Sequence, residues 1–208
     1  MVERQQLGVA AKIRPYGIIK MRPTHVCTIV AIVVFTMATM ATAARQPPGQ
    51  TGPATPTRLK ILVIHGPNLN LLGRREPQIY GRTTLDQINA SLNALAKELS
   101  VDLVVLQSNT EGVIVDAFQQ HIDDVDGALI NAAGLSFSSV SIHDAIKAMP
   151  FPVIEVHISN LATRDEIHQH SILTPAVRGT VMGLGWRSYT AALRALADIV
   201  REEKTAKK

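Results

Sequence analysis

Cysteine is almost absent from this 208-residue chain, and its single copy, Cys27, lies near the N-terminus. Cys27 precedes an apolar run instead of ending it, which disfavours lipoprotein attachment. From Ala44 onward the chain has no cysteine, so this part can form no disulfide and use no catalytic thiol. Cysteine chemistry is therefore excluded from most of the protein.

Motifs for cofactors and metals are also missing. After the first predicted strand there is neither Gly-x-Gly-x-x-Gly nor Gly-x-x-x-x-Gly-Lys-Ser/Thr, the patterns whose glycines let a loop bind dinucleotides or nucleoside triphosphates. The histidines are scattered, and the pair His168 and His170 would not hold a catalytic ion alone. We therefore expect no cofactor and no metal.

An excess of positive charge is confined to the first 43 residues. The whole chain has 21 Lys and Arg against 17 Asp and Glu, and residues 1–43 hold five of these basic residues but only one acid. Residues 44–208 therefore carry 16 of each kind and no net charge. Since a neutral domain gives no electrostatic support for nucleic-acid binding, we expect no nucleic-acid partner.

Residues 1–43 are predicted to contain an export signal. Basic residues precede an uncharged apolar run from Val26 to Ala44, and an Ala-Thr-Ala segment in it fits a small-residue cleavage site. Cleavage near Ala43/Ala44 would deliver the protein to the periplasm, with no membrane contact afterwards. The run is also long enough to span a bilayer, so an uncleaved anchor is the alternative, which the Ala-x-Ala ending disfavours.

Composition divides the chain into three parts. Residues 1–43 are the N-terminal extension with its signal peptide, and residues 44–57, rich in Pro, Gly, Thr and Gln, are predicted to be a flexible linker. Residues 58–208 are expected to form one folded domain, because 46% of the chain is hydrophobic and this length supports a sizeable core.

The predicted domain alternates β-rich runs with helical patterns. The runs are nearly continuous in Val, Ile and Leu, which indicates strands buried on both faces, as in a parallel sheet. Such alternation with right-handed crossovers predicts an α/β fold, a flavodoxin-like three-layer sandwich around a five-stranded parallel sheet of order 2-1-3-4-5. The predicted strands span residues 59–65, 101–107, 127–131, 153–158 and 179–184, and the predicted helices span residues 84–99, 112–122, 139–148, 164–170 and 187–203.

The segment from His65 to Gly81, HGPNLNLLGRREPQIYG, is predicted to be a long loop at the carboxyl end of the first strand. Open α/β sheets bind ligands at this edge, and plain connectors are usually only about two to six residues long. A loop of this length therefore suggests a function. Four apolar side chains are expected to anchor it to the domain: Leu69, Leu71, Leu72 and Ile79.

Tyr80, near the end of this long loop, is a candidate general base. A phenol has a pKa of about 10 and is a poor base at neutral pH unless its phenolate is stabilised, which a nearby guanidinium does. Arg75 lies five residues earlier on the same loop and is preferred to Arg74, which we expect to be solvated. The alternative is that Tyr80 is only a packed aromatic side chain.

His157, near the end of the fourth predicted strand, is a candidate general acid. It alternates with Glu155 and Ser159, so the three side chains are expected to face the same way. A carboxylate beside a histidine orients the imidazole and retains its proton, as a general acid requires. The alternative is a core histidine bonded to a structural carboxylate.

Polar residues follow the other strands as well. Asn68 lies in the long loop, the second strand delivers Gln107, Ser108 and Asn109, and the third ends at Asn131. Because the carboxyl ends of parallel strands meet at one edge of the sheet, these side chains are expected to form a site for a small, oxygen-rich ligand.

The chain contains three long motifs, HGPNLNLLGRREPQIYG, NAAGLSFSSVSIHDA and IEVHISN followed by TRDEIHQHS. They resemble the motifs of type II 3-dehydroquinate dehydratase (3-dehydroquinase), and the resemblance covers about residues 59–199. It implies a flavodoxin-like lyase that removes water from 3-dehydroquinate to give 3-dehydroshikimate without a metal or a cofactor. It also implies a homo-oligomer, a dodecamer built from trimers.

The resemblance also implies a role for each site residue. Tyr80 would take a proton from the carbon beside the ketone, Arg75 would keep Tyr80 ionised, and Asn68 would help to stabilise the enolate. His157, oriented by Glu155, would protonate the departing hydroxyl. Further implied contacts are Asn131 and the backbone amides of Ile158 and Ser159 with the substrate, Asp144 with the site of a neighbouring subunit, and Arg164 with the mobile loop.

Three positions depart from the family pattern. Phe137 stands in place of a substrate-contacting His, His143 replaces the Arg before Asp144, and His168 replaces an Arg that contacts the substrate. These changes remove hydrogen-bond donors and positive charge from the pocket, and each lost donor to a charged group weakens binding by about 1.5–3 kcal/mol. We therefore predict retained chemistry with weaker or altered substrate binding.

Three functions follow from these patterns. The leading hypothesis is a secreted 3-dehydroquinate dehydratase that serves the breakdown of external quinate in the periplasm instead of aromatic amino-acid synthesis. The second is a paralogue that acts on a related cyclic polyhydroxy keto acid, a hypothesis motivated by Phe137 and His168. The third is a non-catalytic ligand-binding protein of the same fold, which the retained proton-transfer residues disfavour.

Overall fold

The computed structural model describes residues 58–207, and the predicted signal peptide and linker, residues 1–43 and 44–57, lie outside them. The described residues form a parallel five-stranded sheet of order β2-β1-β3-β4-β5. This order and the α/β fold class confirm the prediction from the sequence. The strands are β1 (Leu59–His65), β2 (Val101–Gln107), β3 (Gly127–Asn131), β4 (Val153–His157) and β5 (Gly179–Met182).

Helices cover both faces of the sheet, with α2 and α5 on one face and α3 and α4 on the other. The helix α1 is a single turn within the long loop. In the part of the chain described, no helix has both the length and the apolar character needed to cross a bilayer. The helices are α1 (Pro77–Tyr80), α2 (Leu85–Glu98), α3 (Glu111–Gln120), α4 (Val140–Lys147) and α5 (Arg187–Ala206).

The central strands are buried on both faces, as their composition predicts. In β1, Ile61 and Val63 pack toward α2 and α5, whereas Leu62 and Ile64 pack toward α3 and α4. The prediction of full burial is wrong for β2 and β5, which lie at the two edges of the sheet and are partly exposed. Val and Leu content cannot distinguish an edge strand from a central one, because both kinds of strand pair with a neighbour through the same backbone hydrogen bonds.

Helix boundaries follow the capping signals closely where such signals exist. The backbone N–H of Gln87 donates to Oγ1 of Thr84, and the Gln87 side chain accepts from the Thr84 N–H, so the capping box predicted for α2 is present. The helix predicted over residues 164–170 is wrong. Two separate 3-10 turns, Leu161–Thr163 and Glu166–His168, replace it because the backbone at Arg164 is extended.

The last residue of β1, His65, has no exposed surface and is held by two hydrogen bonds. Its Nδ1 lies 3.1 Å from the hydroxyl of Tyr189, and its Nε2 lies 2.9 Å from Oδ1 of Asn89. Burial lowers the pKa of His65 from 6.5 to about 4, an effect that the bond to Asn89 only partly opposes. The imidazole is therefore neutral in the folded protein at neutral pH.

This buried histidine makes the fold sensitive to acid. Below pH 6.5 the unfolded chain protonates His65 while the folded chain does not, so the free energy of unfolding falls with pH until the folded pKa of about 4 is passed. The free energy of unfolding that His65 removes over this range is about 3 kcal/mol, because each pKa unit corresponds to about 1.36 kcal/mol. Urea unfolding between pH 7 and pH 4 measures it. His65→Asn, which cannot titrate, is expected to lose less stability over that range, and an equal loss in both proteins would contradict the assignment.

Candidate active site

The long loop is folded instead of irregular. It contains a 3-10 turn, Leu69–Leu71, and the short helix α1, which begins at Pro77, a residue suited to the first turn of a helix. Leu69 and Leu72 are buried and anchor the loop, as predicted, whereas Leu71 is 41% exposed and does not. A 3-10 helix has about three residues per turn, so Leu69 and Leu72, three positions apart, face the domain while Leu71 faces solvent.

The long loop starts where the ends of β1 and β3 approach each other closely. The backbone N–H of Gly66 donates to the carbonyl of Asn131 at 2.8 Å. A Cβ at position 66 would lie 2.5 Å from the backbone of Ala132, a distance that real side chains do not adopt. Glycine is therefore required here, and it lets the loop begin directly beside the end of β3.

A cavity of about 220 Å³ opens under the loop at the carboxyl edge of β1, β3 and β4. Both polar and apolar side chains line it, and its size suits a small ring compound. Nine of the twelve site residues that the sequence predicts lie in its lining: Asn68, Arg75, Tyr80, Asn131, Phe137, Ile158, Ser159, Arg164 and His168.

The other three predicted site residues do not line this cavity. Glu155 and His157 are buried behind it on β4. The ring of Phe137, which does line the cavity, has its centroid 6.3 Å from that of His157. Asp144 lies on α4 with 71% of its side chain exposed, where His143 donates to it at 2.9 Å. Asp144 therefore faces solvent in the single chain.

Two guanidinium groups contact Tyr80. Nη1 of Arg164 donates to the phenolic oxygen at 3.2 Å, and both arginines lie over the ring, with Cζ at 5.0 Å from its centroid for Arg75 and 5.5 Å for Arg164. Arg75 also pairs with Glu76 at 2.9 Å. The sequence suggested Arg75 as the group that stabilises a phenolate, yet the hydrogen bond to the oxygen comes from Arg164. Tyr80 therefore lies beside two positively charged side chains.

Glu155 orients His157 and is itself surrounded by donors. Nε2 of His157 lies 2.9 Å from Oε1 of Glu155, so the two side chains face the same way, as the alternation predicts. Burial raises the pKa of Glu155, but hydrogen bonds from His157 and Ser171 outweigh it, and the pKa is lowered from its ordinary value of 4.5. Glu155 is therefore an anion at neutral pH, and Nδ1 of His157 is the ring nitrogen left to serve a ligand.

Two hydroxyl groups that support Glu155 have no signal in the sequence. Ser171 donates to Oε1 at 2.5 Å and Thr174 donates to Oε2 at 2.8 Å. Ser171 is the last residue of the third motif and Thr174 begins the 3-10 turn Thr174–Ala176, and neither spacing nor periodicity relates them to a buried carboxylate. Their contacts depend on how the segment after the 3-10 turn Glu166–His168 folds back over β4.

An amide cluster positions Asn68 at the mouth of the cavity. The Asn68 backbone adopts a left-handed conformation, with φ of 65°, which asparagine tolerates better than most residues. Its N–H donates to Oδ1 of Asn109 at 2.9 Å, and the side chain of Gln107 donates to that same oxygen at 3.1 Å. The polar end of β2 thus fixes the backbone that carries Asn68.

Phe137 and His168 form an edge-to-face pair at the cavity wall. Their ring centroids are 5.1 Å apart at an interplanar angle of 85°. Nδ1 of His168 donates to the carboxylate of Asp165, and this hydrogen bond lowers the pKa of Asp165. His168 therefore uses Nδ1 to bind Asp165, and Phe137 lines the cavity with an apolar ring that can donate no hydrogen bond.

Introducing a donor at position 137 is expected to strengthen binding of an oxygen-rich ligand. Phe137→His would place an imidazole where only carbon faces the cavity. One added hydrogen bond to a charged or hydroxyl group of the ligand is expected to lower KM about tenfold. Steady-state kinetics with 3-dehydroquinate, the substrate that the sequence resemblance implies, measures it. Phe137→Leu, which stays apolar, is the matched control, and an equal KM in both variants would show that the donor has no effect.

No three His, Cys, Asp or Glu side chains within residues 58–207 are grouped so that they could hold a metal ion. A guanidinium-bonded tyrosine, amide donors and a carboxylate-bound histidine together suit proton transfer next to a carbonyl group.

Comparison with known proteins places the chain among known families. Residues 59–197 match the model of the family described as Dehydroquinase class II. A 3-dehydroquinate dehydratase from Acaryochloris marina is 47% identical over 140 residues, which cover 67% of this chain and 94% of that protein. One from Roseiflexus castenholzii is 46% identical over 138 residues, covering 66% and 88%.

Solved structures give the same result. The crystal structure of type II dehydroquinase from Propionibacterium acnes is 43% identical, superposes with a TM-score of 0.65, and covers 68% of this chain and 99% of that one. The family model spans residues 59–197, the region that folds around the cavity. The chain therefore belongs to the class II dehydroquinase family.

Proposed function

We propose that this protein removes water from 3-dehydroquinate to give 3-dehydroshikimate through an enolate intermediate. One observation carries the proposal: in a domain of the class II dehydroquinase family, a tyrosine held by a guanidinium lines a cavity of the right size. The relatives named 3-dehydroquinate dehydratase match over 88% and 94% of their own length, which supports the proposal.

The first step is abstraction of a proton. Tyr80, as phenolate, takes a proton from the carbon next to the ketone, and the electron pair of the C–H bond moves onto the ketone oxygen. Arg164 and Arg75 stabilise the phenolate by their charge. Asn68, at the mouth of the same cavity, supplies a donor for the negative charge that develops on the enolate oxygen.

The second step is loss of water. The enolate re-forms the ketone, a carbon–carbon double bond forms beside it, and the carbon–oxygen bond to the leaving hydroxyl breaks. His157 donates a proton to this hydroxyl, which leaves as water, and Glu155 holds the imidazole in position. Asn131, Ser159 and the backbone at Ile158 serve the remaining oxygens of the substrate.

A direct assay tests this function. Purified protein is mixed with 3-dehydroquinate, and the conjugated enone of the product is followed by ultraviolet absorbance. Turnover without added metal or cofactor is the expected result. Folded protein at high concentration that gives no signal would contradict the proposal.

A second candidate function rests on Phe137. Its apolar ring at the cavity wall fits a substrate with one fewer hydroxyl on that side, so a related cyclic polyhydroxy keto acid is the alternative. Competition between 3-dehydroquinate and its deoxy analogues decides between them, because the better substrate has the higher kcat/KM. A ligand-binding protein without activity would bind 3-dehydroquinate in calorimetry but release no product.

We further propose that the protein is exported and serves quinate breakdown in the periplasm. The basic segment, the apolar run from Val26 to Ala44 and the Ala-x-Ala site support this proposal. N-terminal sequencing of protein from a periplasmic fraction is expected to begin near Ala44. Cytosolic protein that begins at Met1 would contradict export, and the ultraviolet assay would be unaffected by that outcome.

Assembly into a dodecamer of trimers is also part of the proposal. Asp144 is exposed and lies outside the cavity of its own chain, which supports a role in the site of a neighbouring copy. Light scattering after size-exclusion chromatography tests the assembly. A monomer with full activity would contradict it.

A further inference from the structure

The buried carboxylate of Glu155 is surrounded by hydroxyl groups to which the steps proposed above assign no role. Its Oε1 accepts from Ser171 at 2.5 Å and its Oε2 accepts from Thr174 at 2.8 Å, whereas the hydroxyl of Thr180 lies farther away, 3.4 Å from Oε2. His157 bonds Oε1 as well. Because Glu155 has no exposed surface, these side chains take the place of solvent around its charge.

The hydrogen of the Ser171 hydroxyl goes to Glu155. The Ser171 oxygen accepts from the backbone N–H of Leu173 at 3.1 Å, and its own hydrogen has two acceptors within reach, Oε1 of Glu155 at 2.5 Å and the carbonyl of Ser136 at 3.2 Å. The Ser136 carbonyl already accepts from the N–H of Ile172. Since a charged and closer acceptor forms the stronger hydrogen bond, Ser171 is a donor to the carboxylate.

These donors match an ionised carboxylate and not a protonated one. An ionised carboxylate only accepts hydrogen bonds, whereas a protonated one also has a hydrogen to donate. Burial raises the pKa of Glu155, but hydrogen bonds from His157, Ser171 and Thr174 outweigh burial and lower the pKa from 4.5. Within residues 58–207, His157 is the only titratable side chain bonded to Glu155, and the hydroxyls carry no charge.

The ionised carboxylate determines where His157 carries its protons. Nε2 of His157 lies 2.9 Å from Oε1 of Glu155, so Nε2 bears a hydrogen whenever Glu155 is an anion. The second proton of the imidazolium is then the one on Nδ1, and it is the proton that His157 can give away. Protonation of Glu155 would remove the negative charge that favours the imidazolium.

We propose that Ser171 and Thr174 are positioning residues, which keep Glu155 an anion in acid so that Glu155 can hold His157 with its transferable proton on Nδ1. They act through Glu155 and touch neither the cavity nor a ligand. The part played by His157 in the reaction rests on the proposed function, but the state of Glu155 does not. The two hydroxyls thus set how far into acid the protein stays active.

The dependence of kcat on pH tests this proposal. Removal of one donor destabilises the anion and raises the pKa of Glu155, so activity is lost at a higher pH as the solution is made more acid. Ser171→Ala and Thr174→Val are each expected to move the acid limb of the profile upward by about one pH unit, the effect of one hydrogen bond to a charged group. The loss of kcat is expected to be larger in acid than at neutral pH.

Conservative variants separate the hydroxyl from the shape of the side chain. Thr174→Ser keeps the donor and is expected to keep the acid limb near its original position. Thr180→Val removes a hydroxyl from the longest contact to the same carboxylate and is expected to move the limb far less than Thr174→Val. Thr174 is exposed and valine has its shape, so Thr174→Val is expected to fold even if Ser171→Ala does not.

Two kinetic outcomes would overturn the proposal. One is an acid limb that stays in place in Thr174→Val. The other is an equal shift in Thr174→Val and Thr174→Ser, which would show that packing and not the hydroxyl is responsible. A loss of kcat by the same factor at every pH leaves the acid limb in place and therefore counts against the proposal too.

Nuclear magnetic resonance of the Glu155 carboxyl carbon decides the matter without a substrate. In protein with ¹³C-labelled glutamate, the signal that is missing in Glu155→Gln belongs to Glu155. This signal is expected to titrate at higher pH in Thr174→Val than in the unmodified protein. Equal titration midpoints in the two proteins would overturn the proposal, whereas absence of turnover in the unmodified protein would overturn only the proposed function.

Discussion

Tyr80→Phe is expected to abolish turnover of 3-dehydroquinate while leaving the fold intact. The phenolic oxygen is the atom that Arg164 holds at the cavity, and phenylalanine removes only that atom. General base catalysis contributes a factor of about 10²–10⁴ to rate, and no other described side chain at the cavity is placed beside two guanidinium groups. The expected loss in kcat is therefore at least of this size.

Stability of this variant is the first control. Tyr80 is only partly buried, and the ring that packs on the core remains in Tyr80→Phe, so the midpoint of urea unfolding is expected to change little. Tyr189→Phe is a matched second control, because it removes a tyrosine hydroxyl from the same domain. It is expected to spare kcat, unlike Tyr80→Phe, because Tyr189 is buried and does not line the cavity. Substantial activity in Tyr80→Phe would remove Tyr80 as the base.

The contact between Tyr80 and Arg164 also shows what the sequence alone cannot supply. Strand order, the parallel sheet and the position of the site at the carboxyl edge follow from local patterns, and they are present. The two residues of this contact are 84 positions apart, and neither spacing nor periodicity relates them. Nearness in sequence favours Arg75 as the partner of Tyr80, whereas the hydrogen bond from Arg164 to Tyr80 depends on how two loops pack together.

The same limit applies to the buried groups behind the cavity. Alternation along β4 predicts that Glu155 and His157 share a face, and they do. It cannot predict that Ser171 and Thr174 fold back onto Glu155, because the short segment that carries them has no repeating pattern of apolar residues. The partial exposure of β2 and β5 has a related cause: the predicted strand order places both at the edges of the sheet, and a run of Val and Leu does not reveal how much of an edge strand its neighbours cover.

His157→Gln is expected to lower kcat by a factor of about 10²–10⁴, the usual contribution of a general acid. Glutamine can keep a donor near the position of Nε2, which bonds Glu155 at 2.9 Å, so the buried carboxylate retains its partner. His157→Leu removes that donor, so Glu155 has one hydrogen bond fewer. The free energy of unfolding is expected to fall by about 1–3 kcal/mol. Comparison of the two variants separates loss of the acid from damage to the fold.

Isotope exchange then assigns the two proposed steps to their residues. In His157→Gln the base is intact, so the enolate forms and returns to substrate, and 3-dehydroquinate incubated in D₂O is expected to gain deuterium next to the ketone without losing water. In Tyr80→Phe the proton is never removed, so neither exchange nor product is expected. The enolate forms before water is lost. Exchange in His157→Gln but not in Tyr80→Phe would therefore show that the base is a residue other than His157. Full activity in His157→Gln, or exchange in Tyr80→Phe, would contradict the assignment.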